Sequence, residues 1–174
     1  DIGIAVEVQK INSENAEQLL KAAAGNAATT GIIVQLPLAE VSMNVLDLIP
    51  IEKDVDGLRG MSDTATAMAI HWLLTGYDID IKSKKIAIVG HGKLVGAPLE
   101  KMWRESGYNV TVFDKGDDIS KLNEYNLIVT ATGVPGLIKS EMVQPGAVVV
   151  DAGTASEGGV IKGDLDEAAR ERDD

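Results

Sequence analysis

The residues best suited to chemistry form a glycine-spaced turn, Gly90 to Pro98, which follows the apolar run Ile86–Val89. Gly90, Gly92 and Gly96 read G-x-G-x-x-x-G, one residue longer than the usual dinucleotide fingerprint. Apolar residues then recur about one helical turn apart. A buried strand, a glycine turn and a helix N-terminus with unpaired N–H groups suit a pyrophosphate. The turn therefore predicts a nucleotide site, with chance glycines in an α/β turn as the alternative.

Two later segments strengthen the nucleotide interpretation. The apolar run Val110–Phe113 ends in Asp114, and an acid that bonds a ribose 2′-hydroxyl is expected about 20 residues after the glycine turn. A third apolar run, Leu127–Thr130, leads into the small residues Ala131–Gly136, which would let a ligand approach the backbone. We therefore favour a nucleotide site over chance glycines.

Polar residues near the start of the chain could also carry chemistry. Gln35 follows the apolar run Gly31–Val34, at the carboxyl end of a predicted strand, where open α/β sheets bind ligands. An amide that only caps the strand end is the equal alternative. Asp54 and Asp56 lie two apart in the polar turn Glu52–Gly57, so they should point in opposite directions and not form an acid–base pair. One could face a pocket while the other bonds local N–H groups.

The two histidines of the chain are too few for a three-histidine zinc site, and the sequence contains no other cluster with metal-ligand spacing. His91 lies inside the glycine turn, close to where cofactor phosphates or an adenosine ribose would lie. A solvated loop histidine is the alternative. His71 lies in an apolar helical stretch and is interpreted as a hydrogen-bonded core residue, and Met68 and Trp72 as core packing.

Strand and helix patterns alternate from residue 86 onward. The predicted order is strand 86–90, helix 94–106, strand 109–113, helix 118–123, strand 126–130, helix 139–143 and strand 146–151. This alternation predicts a doubly wound parallel sheet. The charged residues from Asp164 onward are interpreted as a solvated helix face.

The first part of the chain predicts a smaller α/β domain. The expected elements are a strand over 2–8, a helix from the N-cap Ser13 to Ala24 ended by Gly25, a strand over 31–34 buried on both faces and stopped by Pro37, a short helix over 41–49, and a helix over 62–75. The last helix is so apolar that we expect it between two layers or two domains. We therefore assign 1–77 to this domain and 78–174 to the nucleotide-binding domain.

Composition argues against several classes of function. A formal charge of −11 leaves no basic stripe for a nucleic acid, and no apolar run approaches the length of a membrane span. We therefore expect neither as a partner. The absence of cysteine excludes disulfides and favours the cytoplasm, and there is no signal-peptide pattern. Aromatic residues are only 3%, so the core must consist of Val, Ile, Leu and Ala, which suits parallel strands covered by helices.

With these residues in view, the chain resembles the bifunctional methylenetetrahydrofolate dehydrogenase/methenyltetrahydrofolate cyclohydrolase family from about residue 31 to residue 167. Six motifs occur in the family's order, which is far more specific than any one of them. They are Gly-Ile-Ile-Val-Gln-Leu-Pro-Leu (31–38), Glu-Lys-Asp-Val-Asp-Gly (52–57), the glycine turn ending in Val-Gly-Ala-Pro (95–98), Ala-Thr-Gly-Val-Pro-Gly (131–136), Pro-Gly-Ala-Val-Val-Val-Asp-Ala-Gly (145–153) and Gly-Asp-Leu-Asp (163–166).

The resemblance implies folate in a cleft between two domains and a nicotinamide cofactor on the second domain, in a homodimer. The reaction would be oxidation of 5,10-methylenetetrahydrofolate, then hydrolysis of the methenyl product to 10-formyltetrahydrofolate. Gln35 would position the one-carbon unit and a catalytic lysine, Asp56 would hold the pterin ring, and Asp54 would stay structural. The residues expected to bind the cofactor are Gly90, His91, Gly92, Val95, Gly96, Pro98, Asp114, Ala131, Thr132 and Gly133.

The sequence departs from the family's pattern in three places. The family's Tyr-x-x-x-Lys would precede Asp1, and hydrolysis should suffer most without that lysine. Its Pro-Gly-Gly-x-Gly-Pro stretch would follow Asp174. Between Gly57 and Thr64 the chain is shorter than the family pattern, and Ser62–Thr66 replaces the usual Pro-Cys-Thr-Pro.

The same comparison predicts NAD in preference to NADP. Many members of the family use NADP, whose 2′-phosphate is held by an arginine in the glycine turn and a serine after the second strand. Here His91 occupies the arginine position and the second strand ends in Phe113-Asp114-Lys115. A carboxylate repels a 2′-phosphate and accepts a hydrogen bond from a 2′-hydroxyl, although Lys115 could partly rescue NADP.

Two other functions remain open from the sequence. One is a non-catalytic remnant that keeps folate and nucleotide sites and lacks the lysine. The other is an unrelated dehydrogenase of hydroxy acids, which would need a catalytic histidine or lysine near its substrate. Neither His71 nor His91 is well placed for that role.

Overall fold

The computed structural model of the chain describes residues 3–36, 38, 40–60, 63–172 and 174. The chain divides into two compact units, Asp1–Ser62 and Asp63–Asp174. The sequence instead suggested a boundary after residue 77. The difference arises because helix α2 (Ala65–Gly76) buries apolar side chains in the core of the second unit.

The second unit contains the doubly wound parallel sheet that the sequence predicts. Its strands are β1 (Ile86–Val89), β2 (Val110–Phe113), β3 (Leu127–Thr130) and β4 (Val148–Asp151), in the spatial order β2-β1-β3-β4. All three neighbouring pairs are parallel. Every residue of β1 and β3 is buried, as expected for central strands covered on both faces.

Connections between these strands cover both faces of the sheet. Helix α3 (Gly96–Glu105) links β1 to β2, a 3₁₀ helix (Ile119–Glu124) links β2 to β3, and a 3₁₀ turn (Ser140–Met142) links β3 to β4. One core contains Trp103 of α3 with residues of α2, β1 and β3, including Ile70, Ile88 and Leu127. The other contains the alternate strand residues, such as Ala87 and Ile128, with Leu122 and Ile138.

The segments 118–123 and 139–143, predicted as helices, form the short 3₁₀ elements just described. A further 3₁₀ turn, Ile81–Ser83, precedes β1. A hairpin of β5 (Ala155–Glu157) and β6 (Val160–Lys162) was not predicted, although Gly158-Gly159 is a recognised two-residue hairpin turn. Both glycines have positive φ, +59° and +84°.

The first unit is built around α1 (Ala16–Gly25) and two 3₁₀ helices, Met43–Leu48 and Ile51–Lys53. Its core residues are Leu20, Ile32, Val34, Leu46 and Ile49. Ser13 is not the N-cap of α1, as the sequence suggested. The N-cap is Asn15, and in the turn before it the Asn12 side-chain oxygen accepts hydrogen bonds from the N–H groups of Glu14 and Asn15.

Both strands predicted in the first unit are wrong. Residues 3–10 form no strand, and Val8 is 90% exposed, because no described segment pairs with them. At 31–34 the structure contains only a parallel bridge between Ile32 and Asp54. Ile33 is 67% exposed, so this run is buried on one face only. Ile2 and Pro37, also part of these predictions, lie outside the described residues.

Helix α2 begins later than the predicted residue 62, which lies outside the described residues. The Thr64 hydroxyl accepts a hydrogen bond from the Ala67 N–H and caps the helix. Ala67, Ile70 and Leu74 form its buried stripe. Trp72 lies off this stripe and is 66% exposed, so its prediction as core packing is wrong, while Met68 is half-buried.

Candidate functional site

The glycine turn between β1 and α3 contains two positions where a side chain cannot fit. Gly90 has φ +97°, and a Cβ there would lie 2.7 Å from the Ala131 carbonyl oxygen. A Cβ on Gly96 would overlap the carbonyl oxygen of Gly90. Gly90 therefore permits the tight turn, and Gly96 lets the helix approach the strand end.

Gly92 differs from these two glycines because it is exposed, although its carbonyl accepts a hydrogen bond from the Ala97 N–H over 3.1 Å. No heavy atom lies within 4 Å of a Cβ built on Gly92, so a side chain at this position would enter open space. Val95 is the N-cap of α3 and forms no side-chain cap. Pro98 lies in the first helical turn, where the missing proline N–H costs no intrahelical hydrogen bond. The turn thus leaves a backbone surface that a phosphate group could approach.

The loop after β3 borders the same turn. The sheet order changes direction between β1 and β3, and ligands of open α/β sheets bind outside the carboxyl ends of strands at such a point. Thr132 Cγ2 would lie 3.1 Å from a Cβ on Gly90, and Gly133 has φ +68°. The structure therefore brings Ala131, Thr132 and Gly133 to the edge where the glycine turn begins.

Asp114 lies at this edge on the other side of β1. Val89 and Phe113 are register partners, and the Gly90 N–H donates to the Phe113 carbonyl over 2.7 Å. Asp114 follows directly and is exposed. Its own N–H donates to the Asp117 carboxylate over 2.7 Å. This geometry leaves the Asp114 carboxylate open to solvent beside the glycine turn.

His91 is paired with an acidic residue of α3. Its Nε2 lies 2.6 Å from Glu100 Oε2, and the other oxygen of Glu100 accepts from Arg104 Nε over 2.8 Å. Burial opposes the charge of Glu100, but hydrogen bonds from Arg104 and His91 hold its pKa below the usual value. His91 is therefore a paired residue and not a freely solvated loop histidine.

His71 has a structural role, in agreement with its interpretation as a hydrogen-bonded core residue. The indole N–H of Trp103 donates to His71 Nδ1 over 3.2 Å, and His71 is half-buried. Trp103 itself is fully buried and needs a partner for its N–H. His71 thus satisfies the polar group of a core tryptophan.

Asp164 is the main residue of this region that sequence reasoning missed. The segment from Asp164 was interpreted as a solvated helix face, yet Asp164 is fully buried. Its carboxylate accepts hydrogen bonds from the N–H groups of Thr132 and Val134, over 2.7 Å and 3.0 Å. Only a short helix, α4 (Glu167–Arg170), follows it. The motif Gly-Asp-Leu-Asp was visible, but spacing alone did not link it to the loop after β3.

In the first unit, Gln35 is exposed and makes only a local hydrogen bond. Its Nε2 donates to the neighbouring Leu36 carbonyl over 3.2 Å. The parallel bridge joins Ile32 to Asp54, and the Ile32 N–H donates to the Lys53 carbonyl over 2.7 Å. Gln35 and Asp56 therefore both follow this bridge at its carboxyl side.

Asp54 and Asp56 have different surroundings, as the sequence suggested. Asp54 is buried, and its two oxygens accept from the N–H groups of Leu58 and Arg59 over 3.1 Å and 3.0 Å. Asp56 is half-buried, and burial together with the nearby charge of Asp54 raises its pKa. Asp54 holds the turn through these hydrogen bonds, while the charged form of Asp56 is made less favourable by its surroundings.

Two classes of site find no basis in the part of the chain that the structure describes. No group of three or more His, Asp or Glu side chains there could hold a metal ion. No helix among the same residues is long and apolar enough to cross a membrane.

Comparison with known proteins gives consistent matches. Residues 64–173 match the family model described as tetrahydrofolate dehydrogenase/cyclohydrolase, NAD(P)-binding domain. The bifunctional protein FolD of Mycoplasmopsis synoviae (strain 53) is 31% identical over 95% of this chain and 68% of its own length. The bifunctional protein FolD of Aquifex aeolicus (strain VF5) is 38% identical over 81% of this chain and 54% of its own length.

Solved structures agree with these relatives. The bifunctional FolD of Campylobacter jejuni superimposes with a TM-score of 0.80 at 31% identity, over 92% of this chain and 64% of that one. The Trypanosoma brucei enzyme, solved with NADP cofactor and an inhibitor, gives a TM-score of 0.81 at 25% identity, over 93% of this chain and 64% of that one. This chain thus spans just under two thirds of the length of these structures.

Proposed function

The chain belongs to the tetrahydrofolate dehydrogenase/cyclohydrolase family, and on that premise we propose that it supplies two sites of a bifunctional one-carbon enzyme. The enzyme would oxidise 5,10-methylenetetrahydrofolate to the methenyl form with a nicotinamide cofactor, then hydrolyse the product to 10-formyltetrahydrofolate. One observation carries the proposal. The residues that match the family's NAD(P)-binding domain contain a glycine turn and a small-residue loop at the switch point of the sheet.

The second unit would hold the cofactor. The exposed Gly92 would let the pyrophosphate approach the backbone just before α3, and Gly90 and Gly96 give the turn its shape. Asp114 would accept a hydrogen bond from the ribose, and Ala131, Thr132 and Gly133 would form the adjoining wall. The remaining predicted contacts, His91, Val95 and Pro98, belong to the same turn. A nicotinamide cofactor held by these residues would supply the acceptor for a hydride from the one-carbon unit.

The first unit would hold the folate. The Asp56 carboxylate suits the edge of a pterin ring, which presents N–H and amino donors to two acceptor oxygens. Its raised pKa supports this role, because burial without donors makes the charge unfavourable and the ring would supply those donors. Gln35 is exposed and held only by a local bond, so its amide is available to the one-carbon unit.

A preference for NAD over NADP follows from the charges around the turn. Glu100 pairs with both His91 and Arg104, which leaves less positive charge for a 2′-phosphate. Asp114 adds a second carboxylate at the same edge and can accept from a 2′-hydroxyl. Both observations support NAD as the better cofactor.

The same proposal includes a homodimer in the cytoplasm. The dimer rests on the family resemblance, and the compartment on the absence of cysteine. The net charge of −11 disfavours nucleic acid and anionic membrane surfaces as partners. Light scattering of the purified protein tests the dimer directly, because a monomeric mass contradicts it.

The cofactor site is tested by comparing two glycines of the second unit. Gly92 and Gly76 both have open space at the Cβ position. Gly92→Ala should weaken NAD binding about tenfold, because the added methyl blocks backbone approach, while Gly76→Ala should bind as the unchanged protein does. Calorimetric titration measures both, and equal affinities for the two variants contradict the site.

The folate site is tested with Asp56→Asn. An amide replaces one acceptor oxygen by a donor, so tetrahydrofolate should bind about tenfold more weakly. Asp47→Asn is the matched control and should bind as the unchanged protein does, since Asp47 is an exposed residue of the same unit outside the turn that contains Asp56. Reduction of NAD that requires 5,10-methylenetetrahydrofolate, with tetrahydrofolate as the blank, completes the test. Reduction that does not depend on the one-carbon unit would refute the substrate.

A further inference from the structure

Asp164 is a buried carboxylate whose hydrogen bonds all serve the loop after β3. Its side chain is fully buried, and its two oxygens divide between two backbone donors. Oδ2 accepts from the Thr132 N–H over 2.7 Å and Oδ1 from the Val134 N–H over 3.0 Å. Buried charge is costly unless such donors compensate it. The loop and the carboxylate therefore depend on each other.

Asp151, at the end of β4, fixes the position of Asp164. Its oxygens accept from the backbone N–H groups of Asp164 and Leu165 over 2.9 Å and 3.1 Å, and from Arg170 over 2.9 Å. Burial opposes the charge of Asp151, yet these donors keep its pKa below the usual value. The strand end is thus linked rigidly to the residue that holds the loop.

Two glycines leave the room that this arrangement needs. A Cβ on Gly153 would overlap the Asp164 carboxylate, and a Cβ on Gly163 would overlap that of Asp151. The carboxylates therefore pack directly against backbone. Such close packing leaves Asp164 little freedom to move away from the loop.

The loop that Asp164 holds is the one that borders the glycine turn. The Ala131 N–H donates to the Val89 carbonyl over 2.8 Å, and the Ala131 carbonyl lies against Gly90. Thr132 and Val134, the two residues held by Asp164, follow immediately. A displacement of this loop would therefore change the wall of the nucleotide site.

We infer that Asp164, anchored by Asp151, is a positioning residue that sets the affinity of the nicotinamide cofactor by clamping the Ala131–Gly136 loop. The inference rests on the proposed cofactor site. A carboxylate is needed because both of its oxygens accept from N–H groups. An asparagine would point its amino group at one of those N–H groups, so one end of the clamp would open.

The test compares Asp164→Asn with Asp166→Asn, which makes the same charge change two residues away. Asp166 caps α4 by accepting from the Ala169 N–H over 2.8 Å, a role that asparagine also fills. Asp164→Asn should bind NAD about tenfold more weakly, and Asp166→Asn should be unchanged. Amide hydrogen exchange should be faster at Thr132 and Val134 in Asp164→Asn, with β1 and β3 still protected.

The outcomes separate the clamp from a merely structural role. Weaker binding together with local opening at Thr132 and Val134 supports the inference. Local opening with unchanged NAD affinity overturns it, because the loop is then not coupled to the cofactor. An unchanged chain that binds neither NAD nor NADP overturns the proposed function and this inference together.

A measurement on the unchanged chain decides the matter if Asp164→Asn does not fold. Coupling is reciprocal, so NAD must stabilise the clamped loop if the clamp favours NAD. NAD should slow exchange at Thr132 and Val134 more than at Leu58, whose N–H is also held by a carboxylate, that of Asp54. Equal slowing at the three amides overturns the inference.

Discussion

Two pairs of aspartates, one in each unit, show how the same side chain serves opposite purposes. Asp151 and Asp164 of the second unit accept hydrogen bonds with all four oxygens, and the pKa of Asp151 is lowered. In the first unit Asp54 is satisfied by two N–H groups. Asp56 accepts no hydrogen bond from any residue that the structure describes, and burial and the charge of Asp54 raise its pKa.

The difference separates three carboxylates that protein N–H groups compensate from one, Asp56, that the described residues leave without a donor. A carboxylate surrounded by donors stabilises the folded chain, because its charge is better solvated there than in water. A half-buried carboxylate without donors costs stability until a ligand supplies them. This contrast is what the proposed role of Asp56 in folate binding requires, whereas Asp54, Asp151 and Asp164 are held by donors of the protein itself.

The largest expected effect is at Asp151. Asp151→Asn should lower the free energy of unfolding by about 3 kcal/mol, because it removes the charge that backbone donors and Arg170 compensate. Asp118→Asn is the control, since Asp118 is an exposed cap that accepts from the Ser120 N–H. Denaturant unfolding measures both. An equal loss of stability in the two variants would contradict the structural role of Asp151.

In the first unit, substitution of Asp54 and of Asp56 should change the free energy of unfolding in different directions. Asp54→Asn should lower the free energy of unfolding by about 1–2 kcal/mol, because one of two N–H groups loses its acceptor. Asp56→Asn should leave it unchanged or raise it by up to about 0.5 kcal/mol, because it removes a charge without donors. If Asp56→Asn is the more damaging change in the same unfolding measurement, Asp56 is structural.

Substitution of Glu100 tests whether the hydrogen-bond partners of a carboxylate also matter at the glycine turn. Glu100→Gln should shift the ratio of NADP to NAD affinity about threefold toward NADP, because His91 and Arg104 are then less neutralised. Glu124→Gln, which removes an exposed ion pair with Lys85, is the control. Titration with each nucleotide gives the ratio. An unchanged ratio would mean that Glu100 only orients the turn.

The smallest effects should appear in the pH dependence of stability. Asp151 has a lowered pKa, so its contribution is complete above the ordinary value of 3.8 and is lost as pH falls through the lower folded-state value. Asp56 has a raised pKa, so its contribution is present below 3.8 and is lost as pH rises through the higher folded-state value. The free energy of unfolding should therefore fall less steeply toward acidic pH in Asp151→Asn than in the unchanged protein. In Asp56→Asn it should be higher than in the unchanged protein above pH 3.8. The opposite result, in which Asp151→Asn gains stability above pH 3.8 and Asp56→Asn loses acid sensitivity, would contradict these pKa directions.

The second unit was largely predictable because its signals are local. Apolar runs of buried strands, followed by Gly90 or by Ala131–Gly136, indicate both the parallel sheet and the edge at which we propose that the cofactor binds. The hairpin of β5 and β6 also has a local signal, because Gly158-Gly159 is a favoured two-residue hairpin turn. Asp164 could not be found this way, because its partners lie about 30 residues earlier in the chain and periodicity carries no such information.

The first unit was harder to predict because its short apolar runs lack strand partners. Alternation at Ile4, Val6 and Val8 resembles a strand, but a strand needs a neighbour, and these side chains are exposed. The run Gly31–Val34 pairs through a single bridge. Asp54 and Asp56 were nevertheless separated correctly in their surroundings, because residues two apart in a turn rarely share an environment.

We propose that the turn after β1 and the loop after β3 form one nucleotide site. Titration of the chain with NAD, followed residue by residue through backbone amide chemical shifts, tests it most directly. If they do, NAD should cause the largest chemical-shift changes at Gly90–Gly96 and Ala131–Gly136, and the amides of the hairpin Ala155–Lys162 should change little. Binding that leaves both segments unshifted, or shifts the hairpin most, would contradict the account.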